Sequence, residues 1–153
     1  MWRMSRLGRR KRRRRGDHGS VLMLVPAGLL IVLVLASIAV DMTLVHLRQR
    51  QAVDLAAAAA NDAATVAADQ GRVRAGEFRV DIATAERVVG QIIGASELAG
   101  DVVGPPVVRS TGDGGVEVEI SLFADYIFAG VVPGAPDGAT VTGTASATAI
   151  EPP

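Results

Sequence analysis

Apolar and charged positions are segregated along this chain rather than interleaved. From Ser20 to Val40, twenty-one residues pass without a charge, most of them Leu, Val, Ile and Ala, and the run stops at Asp41. At about 1.5 Å of rise per residue, a helix of that length matches the roughly 30 Å hydrocarbon core of a bilayer. The helical pattern then continues. Between Asp41 and Gln70 there is no Pro or Gly, and Leu, Arg, Gln and Ala dominate, which predicts one continuous rod of about fifty residues, on the order of 75 Å long. Leu44, Leu47, Gln51, Leu55, Ala59, Ala63 and Val66 recur at spacings of three and four and predict its buried stripe. Gly71 is the expected C-cap, and residues 71–79 read as a loop.

A second helix is predicted from an N-cap at Asp81 to about Ala99, with Ile82, Ala85, Val89, Ile92 and Ile93 on its apolar face and Gly100 as the stop. Gly90 and Gly94 fall inside it, a spacing that suits close approach to another backbone or marks a fraying helix. After Gly104-Pro105-Pro106 the period changes to two. Val107 and Val108 open a short strand, and Gly112-Asp113-Gly114-Gly115 is a turn. Val116, Val118, Ile120 and Leu122 then alternate with Glu117, Glu119 and Ser121. In the last strand Ala139, Val141, Ala145, Ala147 and Ala149 face one way, and Thr140, Thr142, Thr144, Ser146 and Thr148 the other. The expected fold is α+β: a transmembrane helix continuing into a long extracytoplasmic helix, a second helix, and a small antiparallel sheet of three strands. The expected divisions are a basic leader (1–19), the membrane helix (20–40), its continuation (41–70) and a small α+β domain (71–153).

Charge adds direction. The formal net charge is zero, yet residues 1–19 carry nine Lys and Arg against Asp17 alone, while the chain after Asp41 carries seven Arg against fourteen acids. Basic residues beside a first membrane helix stay in the cytoplasm. The expected location is the plasma (inner) membrane, single-pass, N-terminus inside and C-terminal domain outside. A cleaved secretory signal is the competing reading, with Ser37-Ile38-Ala39 as a small-x-small site, but signal h-regions usually run about 7–15 residues. The Arg run beside the membrane is read as a topology determinant touching anionic lipid, not as a nucleic-acid contact.

Catalytic chemistry is hard to assemble. Cysteine is absent, and the two histidines, His18 and His46, flank the apolar run on opposite sides. No HExxH, phosphate loop or calcium loop occurs. Glu117 and Glu119 share one face of a strand with no pocket in the pattern. The expectation is a non-enzyme with no catalytic residue, metal, cofactor or small-molecule substrate. Asp41 reads as a charge where the helix leaves lipid, or as a contact to a basic group on a partner helix. Asp54 reads as an exposed i,i+4 partner of Arg50. Phe123 to Val132 is the most apolar and aromatic stretch outside the membrane run. It reads either as a plug for the core or as an exposed patch of Phe123, Tyr126, Ile127 and Phe128 for a neighbouring subunit. The Ala-rich rod likewise reads as cover for its own domain or as a face for copies of itself or a homologue.

The basic leader, Gly19-Ser20, the apolar run ending in Val40-Asp41, and Arg50-Gln51-Ala52-Val53-Asp54-Leu55 followed by Ala56 to Ala60 together resemble the N-terminal segment of TadE/TadG-like proteins of the bacterial Flp (tight adherence) pilus assembly system. Residues 16–68 carry the likeness, and the length is closer to the short TadE type. The resemblance implies a pilin-like fold and a pseudopilin-like accessory role in assembling or anchoring a thin pilus or related secretion system. It implies homologous pilin-like subunits or Tad-type platform proteins as partners besides membrane lipid, and Asp41, Gln51, Asp54, Ala56 and Ala57 as the helix-packing motif. It also implies a processing point between Gly19 and Ser20. Cleavage there places Leu24, and cleavage after Gly16 places Val21, where such pilins carry Glu. That favours an anchored assembly factor over a filament subunit. The alternatives are a membrane-tethered envelope protein unrelated to pili and a secreted small protein.

Overall fold

The computed structural model describes residues 18–74, 81–111 and 114–148, with side chains from 24 to 66 in the first stretch. Residues 1–17 of the basic leader and Ala149 lie outside the described residues, as does most of the 71–79 loop. Helix α1 spans His18–Arg74 and contains the whole uncharged run, Pro26 included. It does not stop at Gly71. An interior glycine costs about 1 kcal/mol relative to Ala, and that alone does not end a helix. Contact density divides the chain at Ser37, and the compact unit Ser37–Pro153 takes in the Ala-rich part of α1 together with everything after it.

Helix α2 spans Ile82–Ala95. The Asp81 carboxylate accepts from the N–H of Ala83 at 3.1 Å and of Thr84 at 3.4 Å, satisfying two donors of the first turn. The helix ends before Ala99. Ser96 is extended, and its Oγ accepts from the Leu98 N–H at 3.1 Å, offering the backbone a turn in place of another helical residue. A single 3-10 turn, Ala99–Asp101, follows. Ala85, Val89 and Ile93 are buried as the periodicity predicts. Gly90 and Gly94 face open space, so neither marks a close approach within this chain.

The sheet has strands β1 (Val107–Ser110), β2 (Gly115–Asp125) and β3 (Gly138–Thr148) in the order β1-β2-β3, with both pairings antiparallel. The β1–β2 turn is closed by Thr111 N–H to the Gly115 carbonyl at 2.9 Å, with Gly114 at φ +82°, the left-handed region glycine tolerates. Gly112 and Asp113 of that predicted turn lie outside the described residues. Along β2 the inward residues Val116, Val118, Ile120, Leu122 and Ala124 are all buried, and they form the centre of the core. On the outward face, Arg109 reaches Glu117 at 3.3 Å and Glu119 at 3.2 Å, tying two like charges to one cation.

The core has two walls, the inner face of the sheet and the faces of α1 and α2. On α1 the buried residues are Ala52, Leu55, Ala56, Ala59, Ala60, Ala63 and Ala64. The predicted stripe is therefore right at Leu55, Ala59 and Ala63, but Leu47 and Val66 are exposed. The buried band is centred about one residue from the predicted stripe, because alanine surrounds the helix and gives the period no contrast. Gly143 explains how so small a wall makes contact. It is the inward residue of β3 between Val141 and Ala145, and a Cβ placed there would run into the Ala52 and Val53 backbone. Strand and helix backbones meet directly at that point. The amide of Gln49 donates to the Thr142 carbonyl at 2.6 Å beside it.

Candidate functional site

Asp41 stands out chemically in the compact unit. Only 7% of its surface is exposed, although it is the first ionisable residue after the uncharged run. One carboxylate oxygen, Oδ1, accepts from the N–H groups of Ile127 at 2.9 Å and Phe128 at 3.1 Å; the other, Oδ2, accepts from Ala129 at 2.9 Å. These three donors open the 3-10 turn Ala129–Val131 in the loop joining β2 to β3, where no preceding residue of the turn can satisfy them. Burial pushes the Asp41 carboxyl up, but the N–H groups of Phe128, Ala129 and Ile127 outweigh it and hold it below the ordinary carboxylate value. Asp41 is thus a tether between the C-terminal end of the apolar run and the tip of a loop, and among the described residues no basic group takes part in it.

The loop is closed at its base by the Tyr126 N–H donating to the Asp137 carbonyl at 2.8 Å, next to the final β2–β3 pair Asp125 and Gly138. Within it, Val132 donates to the Ala129 carbonyl at 3.0 Å and Ala135 to the Val132 carbonyl at 3.0 Å, with Gly134 at φ +86°. This internal bonding presents the side chains outward. Ile127, Phe128, Val131 and Val132 are exposed, and Phe123 and Tyr126 are half-buried. The stretch does not plug the core. Of this stretch only Ala124 is buried in the core, which Val116, Val118, Ile120 and Leu122 otherwise supply on β2.

The remaining sequence candidates separate into buried and exposed positions. Ala56 is buried against the sheet, Ala57 is half-buried beside it, and Gln51 accepts from Arg48 at 3.3 Å. Arg48 also pairs with Asp101 at 3.0 Å, linking α1 to the turn after α2. Asp54 is exposed, and among the described residues no ion pair joins it to Arg50. Gly19 and Ser20 lie in the first turn of α1. Leu44, Leu47, Arg48, Gln51, Asp125 and Ile127 line a shallow open groove between α1 and the base of the loop.

Two features escaped the sequence reading. The Asp41 tether joins residues 86 to 88 apart, and nothing local announces it. The Gly143–Ala52 contact carried a faint signal, a glycine at an inward position of an otherwise regular alternation, opposite a helix of alanines. Among the described residues, no group of three His, Asp or Glu side chains is placed to hold a metal ion. Part of α1 within Leu24–Val66 is long and apolar enough to cross a membrane, a test that a signal sequence near an N-terminus also passes. No family model, curated protein or solved structure matches the chain.

Proposed function

We propose that this chain is a membrane-anchored, pseudopilin-like accessory protein that assembles or anchors a Flp/Tad-type pilus or a related secretion system, with its basic leader in the cytoplasm and its α+β unit outside. The observation that carries the reading is the two-part character of α1. Large apolar side chains from Leu24 to Val40 stay exposed, which suits lipid, and the same helix then becomes an alanine wall holding a small sheet. A helix of this kind is both anchor and structural spine. In the pattern that resembles TadE-like proteins, Asp41 stands at the end of the apolar part and Gln51, Asp54 and Ala56–Ala60 lie along the alanine part. Glu117 and Glu119 are engaged by Arg109, which supports a scaffold and not a catalyst. Its partners in this reading are lipid, pilin-like subunits and assembly-platform proteins.

One observation favours a second reading, a secreted protein. The compact unit begins at Ser37, beside Ser37-Ile38-Ala39, so cleavage after Ala39 would release that unit nearly whole. Determining the mature N-terminus in cells separates the two. An intact Met1, or a start at Ser20, with the C-terminal tail digested by protease added outside, is the expected result. A start at Val40 sinks the anchored reading. Co-purification of the detergent-solubilised chain with the secretion ATPase and polytopic platform proteins of such a system tests the pilus role, and its clean failure counts against it.

A further inference from the structure

The loop between β2 and β3 is built against the rules for a surface loop. From Tyr126 to Pro136 it has no charged residue, and its apolar side chains point out: Val131 is 79% exposed, Val132 58%, Ile127 56% and Phe128 47%. An exposed apolar group of this size marks something that covers it. Its position says what. Asp41 follows the last residue of the uncharged run directly, and its carboxylate lies 2.9–3.1 Å from the backbone of Ile127, Phe128 and Ala129. The loop tip is therefore at the level where α1 leaves the hydrocarbon. Val40 and Met42, on either side of Asp41, are exposed as well, so the apolar surface of the helix and that of the loop adjoin.

We infer that residues 126–132 form a lipid-inserting foot: Ile127, Phe128, Val131 and Val132 enter the outer headgroup and acyl boundary beside the helix, and the Asp41 tether holds them there. The inference rests on the anchored reading of α1. The chemistry is consistent throughout. A carboxylate at the edge of hydrocarbon is costly unless its oxygens are satisfied, and three backbone donors satisfy them. Those same N–H groups are themselves paired before the loop meets lipid, which bare backbone cannot do cheaply. The aromatic pair Tyr126 and Phe128 suits the interfacial belt, and the charges flanking the loop, Asp125 and Asp137, stay at its base in water. The occupant is lipid and not a second copy, because the patch continues the membrane-facing surface at the exit point of the helix. A foot beside a single helix also limits how the outer unit tilts on the membrane.

The chain has no cysteine, so single cysteines carry probes cleanly. In the full chain reconstituted into phosphatidylcholine vesicles, an environment-sensitive fluorophore is placed at Phe128→Cys, at the more exposed Val131→Cys, at Thr144→Cys on the solvated sheet face, and at Leu30→Cys within the apolar run. The loop probes are expected to be quenched by a nitroxide carried near the headgroup end of the lipid chain, and to resist aqueous iodide about fivefold better than the Thr144 probe; the Leu30 probe, near the middle of the span, is expected to be quenched by a nitroxide near the methyl end of the chain. Equal iodide quenching at Val131 and Thr144 overturns the foot while leaving the anchor intact, provided the Leu30 probe stays lipid-quenched. Protection from iodide without lipid quenching, growing with protein-to-lipid ratio, also overturns it and assigns the patch to a second copy. Loss of lipid quenching at Leu30 overturns the anchored reading and the foot with it.

Discussion

The two parts of α1 invert the usual rule for burial. Between Leu24 and Val40 the helix carries its largest apolar side chains and leaves them exposed; between Ala52 and Ala64 it carries its smallest, and Ala52, Ala56, Ala59, Ala60 and Ala63 are fully buried. In the first part, size favours transfer out of water, at about 25 cal/mol per Å² of apolar surface removed, and none of the described residues covers those side chains. In the second part, smallness serves approach. An alanine wall buries little area per residue, but it lets the backbone of β3 touch that of α1 at Gly143. Side-chain size therefore separates the uncovered stretch from the packed one, even though both are apolar and helical.

The sharpest way to break the comparison is to exchange the rules. Leu30→Arg with Leu33→Arg puts two charges into the first part, at a cost of about 5–7 kcal/mol to insertion. The chain is expected to move from the membrane pellet to the carbonate-extractable fraction. Circular dichroism in detergent should show an unchanged sheet, because neither residue belongs to the core. Next in size is Gly143→Val, which drives a branched side chain into the Ala52 backbone. A loss of about 3 kcal/mol or more is expected in urea unfolding. A loss below about 0.5 kcal/mol, within the range of an ordinary surface substitution, would mean that the two backbones do not meet there.

The tether gives a pH-dependent test at the junction of the two parts. Because the folded-state pKa of Asp41 is depressed, its contribution is present above the unfolded carboxylate value of about 3.9 and is lost as pH falls through the lower, folded value. Hydrogen exchange at Ile127, Phe128 and Ala129 should stay slow at neutral pH in the wild type. In Asp41→Ala it should be fast at neutral pH, while exchange in the centre of β2 hardly changes. Smallest are Gly90→Ala and Gly94→Ala. An added methyl at either site meets nothing, so each is expected to stabilise by about 0.5–1 kcal/mol through helix propensity alone. Destabilisation at either position would show that these glycines, like Gly143, are small in order to admit a neighbour.

Much of the architecture was legible because it is local. The uncharged run, the Asp81 cap, the alternation from Val116 to Leu122 and the two-faced final strand each follow from spacing within a few residues, and each stands where the pattern puts it. The misses are equally instructive. Gly71 and Gly100 suggested helix ends that the backbone does not take, since a glycine permits termination without requiring it. The buried stripe of α1 was displaced because a helix of alanines lacks the contrast that periodicity needs. The Phe123–Val132 stretch left two readings open; in the structure Ala124 joins the core while Ile127, Phe128, Val131 and Val132 are exposed in the loop that Asp41 tethers.

What the amino-acid sequence determined by itself was therefore the inventory: one apolar run of membrane length, two helices, three alternating strands and a segregation of charge along the chain. Tertiary structure decided which face of the alanine helix is covered, where strand and helix backbones touch, and what a lone aspartate at the end of the run is for. The physical reason is range. Propensity, capping and periodicity act over a few neighbouring residues, whereas Asp41 with Ile127 and Ala52 with Gly143 meet only once the chain has folded back across most of the compact unit.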